Sequence, residues 1–249
     1  MSSNKTRREQ NPDSFDGFPP SGLDFLRRLK RHNTREWFAE RKHVYEEQVR
    51  LPMLRLVADL TSEMWDYAPE HTIEPSRAVY RIQRDTRFSE DKSPYKTHIA
   101  AIFPHRRLPK NAGASFYFNV SPDGAEVAAG VYAPESAELR LIRQRLLTEY
   151  GRLGEIVRRI EGGSPLVGEL RGEMLRRGPR GFPASHPAEE LLRRKAFYYE
   201  LRLPPGLLTS RRLFDELSGH FRLLAPLVAF LDGCLIQQPP DDPRRSAGP

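Results

Sequence analysis

Apolar positions recur at helical spacing through the first quarter of the chain. Leu23, Leu26 and Leu29, with Phe25 beside them, predict a helix opened by Pro19-Pro20-Ser21-Gly22. Asn33-Thr34-Arg35-Glu36 restarts the pattern. Asn33 is placed to cap a second helix, and Glu36 stands where a capping-box partner stands. Trp37, Val44, Tyr45 and Val49 continue at roughly helical spacing. Pro52 fits the first turn of a third helix, which carries Leu56, Val57, Leu60, Met64 and Trp65. Both tryptophans read as core residues.

The period then changes from helical to alternating. Arg77 to Arg84 reads as a strand, with Tyr80 and Ile82 on one side and Val79, Arg81 and Gln83 on the other. Thr97–Phe103, Ser115–Val120 and Glu126–Tyr132 are three further strands. Phe116, Phe118 and Val120 alternate with Tyr117 and Asn119. Pro122-Asp123-Gly124 is a turn signal, so the last two runs form an antiparallel hairpin. No segment within 77–132 is long enough for a helical crossover, which predicts an antiparallel meander.

Helical spacing returns after Pro134. Leu139, Ile142 and Leu146, then Leu153, Ile156 and Ile160, predict two helices broken near Gly151. Residues 161–187 are irregular and rich in Gly and Pro. Leu191 and Leu192 mark a short helix, Ala196–Leu203 one further strand, and Phe214 to Leu231 a closing helix. The fold class is α+β: an antiparallel meander sheet with helices packed on one face. One domain is expected over 15–236, between a disordered leader (1–14) and a disordered Pro-rich tail (237–249).

Composition narrows the class of protein. The chain has 249 residues, 38% of them hydrophobic, enough for one real core. No charge-free apolar window reaches 18 residues, and no apolar run follows a basic start, so neither a membrane span nor a secretory signal is expected. Cys234 is the only cysteine, which excludes a disulfide framework and a cysteine-built zinc site. It reads as a small buried hydrophobe, and a cytoplasmic location is expected. The net charge is +7, and its placement matters more than its size. Residues 77–110 hold nine basic and three acidic side chains, net +6, so almost the whole excess lies in one short segment.

That segment holds the candidate chemistry. Arg81, Arg84, Arg87, Lys92 and Lys96 offer donors that suit phosphate or carboxylate, Arg through a planar fork and Lys as a point charge. Tyr95 is a positioning donor, and Asp85 an orienter or base; these two are the catalytic candidates. The structural alternative stands beside this one. Arg84 falls on the Tyr80/Ile82 side, where it would pair with Asp85 or Asp91 and pin the loop. A second basic cluster comprises Arg176, Arg177, Arg180, His186, Arg193, Arg194 and Lys195. It either folds over the first, with Arg180 as a further ligand group, or is a solvated loop.

The string Arg81, Arg84, Asp85, Arg87, Phe88, Lys92 and Tyr95 fits Arg-x-x-Arg-Asp-x-Arg-Phe-x-x-x-Lys-x-x-Tyr. This resembles the signature of domain-of-unknown-function family 2461, a mostly bacterial family. The segments at Phe15–Pro19, Asn33–Phe38 and Pro179–Pro183, followed by His186-Pro187, are also similar to it. The resemblance spans about residues 15–235. It implies one family domain and no particular activity, substrate or cofactor.

No nucleotide-binding glycine loop, serine-nucleophile elbow or H-E-x-x-H occurs. The histidines are scattered singly, so no metal site is expected from them. Three functions remain. The first is a protein with a cationic cleft for a small anionic, phosphorylated ligand, with phosphoryl or phosphodiester chemistry if it is an enzyme. The second is nucleic-acid binding, through basic charge and a sheet bearing Phe116, Tyr117 and Phe118. The third is a non-catalytic interaction protein whose arginine network is scaffold. Cofactor and oligomeric state are not fixed by the sequence.

Overall fold

The computed structural model describes residues 14–109 and 112–236. The expected tail, and the leader apart from Ser14, lie outside the described residues. Helix α1 (Pro20–Arg31) starts on a proline at its first turn and buries Leu23, Phe25, Leu26 and Leu29. Gly22 faces the carbonyl of Gln48, where a Cβ would collide, so α1 packs against the following helices at close range. Helix α2 (Arg35–Glu40) is capped by Thr34, whose hydroxyl accepts from the Trp37 N–H at 3.3 Å. Asn33 is therefore not the cap. A short α3 (Lys42–Tyr45) runs through a π-helical stretch, Glu46–Arg50, into α4 (Leu51–Met64). Helix α4 buries Leu56, Val57, Leu60 and Met64. Trp37 packs on Phe25, with ring centroids 5.4 Å apart, but Trp65 is 57% exposed and is not a core residue.

The expected strand at 77–84 is replaced by a short helix, α5 (Pro75–Ala78), and an extended edge. That edge bridges Val79 to Ala101 and Gln83 to Tyr95. Pro75 opens the helix and the Glu74 side chain caps it, which takes Arg77 and Ala78 from the start of the expected strand. Alternation fails there as well: Ile82 is buried and Tyr80 is 39% exposed.

The sheet has four antiparallel strands in the order β1-β2-β3-β4: β1 (Ile99–Pro104), β2 (Ser115–Ser121), β3 (Gly124–Val131) and β4 (Phe197–Leu203). Gly124, at φ 133°, closes the β2–β3 turn in a conformation that favours glycine. After β3 the chain leaves through α6 (Ser136–Gly163) and α7 (Glu189–Arg193) and returns to place β4 beside β3. Helix α6 is one span with a break at Glu149 (φ −114°, ψ 18°), two residues before Gly151. Arg145 and Arg152 both pair with Glu149 there.

One face of the sheet carries Phe103, Phe116, Phe118, Val127, Tyr199 and Leu201, all buried. Helix α8 (Arg212–Leu235) lies on this face: Phe221 meets Phe103, Phe116 and Phe118 at centroid distances of 5.7, 5.0 and 6.3 Å. Complete burial of such rings contributes about 1.5–3 kcal/mol each. On this face the core therefore lies between the sheet and α8.

Candidate functional site

The loop 84–94 is built on a closed neck. Arg84 N–H donates to the Pro94 carbonyl at 2.9 Å, and Lys96 N–H to the Ile82 carbonyl at 2.8 Å. Asn33 clamps the outgoing strand from the side. Its amide donates to the Tyr95 carbonyl (2.9 Å) and its carbonyl accepts from the Tyr95 N–H (3.0 Å). The amide side chain offers a separate donor and acceptor, one to each group of the extended residue, so Asn33 takes this role while Thr34 takes the cap. The Tyr95 ring then stacks on buried Phe38 at 4.1 Å.

Inside the loop the signature residues hold one another. The Arg84 guanidinium donates to Asp91, to the Ser93 carbonyl (3.4 Å) and to Ser89 Oγ (3.3 Å). Arg84 is therefore committed to pinning the loop, through Asp91 and not Asp85. The Asp91 carboxyl accepts from Ser93 N–H at 2.9 Å, and Ser93 and Arg84 together hold it down at about 2. Asp85 pairs with Arg87 at 2.7 Å, which holds its carboxyl below the usual range. Lys92 Nζ donates to the Thr86 carbonyl at 3.0 Å, a neutral partner. Phe88, at the tip, is 96% exposed.

A cleft of about 270 Å³ opens between the loop and α2, lined by Arg35, Gln83, Arg84, Thr86, Lys92, Pro94 and Tyr95. Of the residues predicted from sequence, the fold brings Arg84, Lys92 and Tyr95 together here. Asp85 and Arg87 stand outside the lining, paired with each other. Arg81 and Lys96 are outside it too. Lys96 Nζ sits 4.9 Å from the Tyr80 ring, and burial and Arg81 push its ammonium down. Arg180 does not line the cleft. Its neighbours in the second cluster are tied locally: Arg193 to the Leu175 carbonyl (2.8 Å), Arg194 to that of Leu170 (2.7 Å), and Lys195 to Glu173 (2.8 Å). Arg35 is the lining residue that sequence reasoning missed. Its signal was its place in the first turn of a helix capped by Thr34, beside the residue that clamps Tyr95.

Two of the three aromatics named for nucleic-acid stacking, Phe116 and Phe118, point into the core and are fully buried. Only Tyr117 lies on the other face. A second buried polar arrangement had no sequence signal at all. His71 Nδ1 meets the Phe103 carbonyl at 2.9 Å, and its Nε2 meets Asp232 Oδ2 at 2.9 Å. Asp232 Oδ1 accepts from the Ala114 N–H at 2.8 Å. These contacts join α8 to the sheet. Among the described residues, no group of three or more His, Cys, Asp or Glu is placed to hold a metal ion. No helix among them is long and apolar enough to cross a membrane.

The fold and site define a single-domain α+β protein with a self-braced basic loop over a small cleft. The chain belongs to the family described as "Conserved hypothetical protein (DUF2461)", whose profile matches residues 21–230. No curated protein matches it.

Proposed function

We propose that the protein binds a small anionic, phosphorylated ligand in the cleft between α2 and the 84–94 loop. One observation carries this reading: among the described residues, the lining residues Arg35, Lys92 and Tyr95 have no carboxylate partner, while Arg84 beside them is already neutralised by Asp91. A phosphate oxygen entering there meets a guanidinium, an ammonium and a phenol. Charge-assisted hydrogen bonds of this kind are roughly twice as strong as neutral ones. The rigid neck and the Phe38–Tyr95 stack keep the donors in place before the ligand arrives, which lowers the entropy cost of binding. Asp85 lies outside the lining, so the reading is of binding, with no base assigned. A cytoplasmic, bacterial setting belongs to the same proposal and rests on the family and the single thiol.

Calorimetric titration with inorganic phosphate and with sugar phosphates tests it. Arg35→Ala and Lys92→Ala should each weaken binding about tenfold or more, with the melting temperature unchanged. Absence of binding at low salt, or binding untouched by both variants, refutes the reading.

A further inference from the structure

The register of the sheet sets out its other face as a grid. One row across the strands is Ile102, Tyr117, Ala128 and Glu200; the next is Pro104, Ser115, Gly130 and Tyr198. On β3 the two positions are Ala128 and Gly130, so the floor is low in the middle. Gly130, at φ 127°, lies where a Cβ would strike the backbone of Phe197 and Tyr198. Tyr117 on β2 and Tyr198 on β4 rise on either side of that floor. Their strands lie two spacings apart, roughly 9.5 Å between backbones, and the two tyrosines stand one row apart along them. Tyr132, 73% exposed, stands against Tyr198 at 5.1 Å and 66°, closing one end. The result is a trough of about 440 Å³, within the usual size of small-molecule sites.

Its lining is unlike the rest of the molecule. In a chain with 40 Lys and Arg, this pocket is lined by three tyrosines and two glutamates, Glu126 and Glu200, and, among the described residues, by no Lys or Arg. Arg202 meets Glu126 at 3.0 Å and Arg171 meets Glu200 at 3.7 Å, but both arginines reach in from solvent, 78% and 53% exposed. Exposed pairs of this kind are weakly held. Burial and the nearby Lys96 push the His98 imidazole below its ordinary value, against the pull of Glu126. Burial likewise holds the Tyr117 and Tyr198 hydroxyls protonated, so their ring faces remain those of neutral phenols. The faces of such rings carry negative charge density, and an organic cation among them is attracted without the strong hydration that a metal ion would have to lose. Two carboxylates in the lining repel phosphate, which sets this site apart from the anion cleft.

We infer that the trough between Tyr117 and Tyr198 is a binding site for a small organic cation, a methylated ammonium on a short apolar skeleton.

Titration of the full chain with choline, and with its neutral isostere 3,3-dimethylbutan-1-ol, is the test. Choline is expected to bind about tenfold more tightly than the isostere. Tyr132→Ala and Glu200→Gln should each weaken choline about tenfold with circular dichroism and melting temperature unchanged; both positions are at the surface or keep their shape. Equal affinity for the two probes, no binding of choline at millimolar concentration, or undiminished binding in both variants overturns the assignment.

Discussion

Replacing Asp232 separates a hydrogen-bond geometry from a mere contact. Asp232 and His71 are each 3% exposed, and together they tie α8 to the sheet over 161 residues of sequence. The Phe103 carbonyl can only accept, so His71 Nδ1 carries a proton, and a single proton remains to be shared between Nε2 and Oδ2. Asp232→Ala strands two buried groups at once, the Ala114 N–H and the imidazole Nε2. An unmet buried group costs about 1–3 kcal/mol, so the variant should lose about 3–5 kcal/mol, the range for breaking a buried pair. Asp232→Asn behaves differently. The new carbonyl accepts from Ala114 N–H, and the new amide donates to Nε2 of a neutral imidazole. Every partner survives, and the loss should be about 1 kcal/mol. Urea unfolding followed by the fluorescence of Trp37 and Trp65 gives both values, and a cycle with His71→Ala gives their coupling. Equal losses for the two variants, or less than about 1 kcal/mol for the alanine, would refute the proton arrangement.

Three further outcomes follow from the same structure. Asp91 has a depressed folded pKa of about 2, so its contribution to holding the loop is present above its ordinary 3.8 and is lost as pH falls through about 2; amide shifts of residues 89–93 should change in that window, and a transition above 3.8 contradicts it. The Cys234 thiol is pushed up to about 11 by burial, against the pull of Arg145, so Ellman's reagent at pH 8 should label the native chain at least about tenfold more slowly than the urea-unfolded one; equal rates would count against it. Phe88 is 96% exposed, and Phe88→Ser should change stability by less than about 0.5 kcal/mol; a larger loss means that the ring is covered.

The elements legible in the sequence are those decided locally. Alternation at Ser115–Val120 and the Pro122-Asp123-Gly124 turn are properties of neighbours, and the hairpin forms there. Helix α1 likewise follows from Leu23, Leu26 and Leu29. Where two local signals competed, alternation misled: Pro75 and the Glu74 cap turn the start of the 77–84 run into a helix, and no periodicity reports that. Trp65 was misplaced because helical spacing says which residues share a face and not whether anything covers that face. In the candidate cleft, the basic loop was visible as a run of charge, whereas its partner Arg35 stands 57 residues from Lys92 in the chain and joins it through the Asn33–Tyr95 clamp and the Phe38–Tyr95 stack.

The trough shows the limit more sharply. The two-residue period places Tyr117 on one face of β2 and Tyr198 on one face of β4. It cannot say that they are one small strand apart, because β4 returns to β3 only after the excursion through α6 and α7. Net charge conceals the site further. A sum of +7 describes a basic surface, and a pocket holding two carboxylates and no cation leaves no trace in it. The field that a ligand meets is set by the side chains lining its own cavity and by the groups paired with them, here Arg202 and Arg171, since charges beyond about 8–10 Å are screened in physiological salt. On that scale the anion cleft proposed beside the edge strand and the cation trough proposed on the sheet are compatible within one small domain, without either annulling the other.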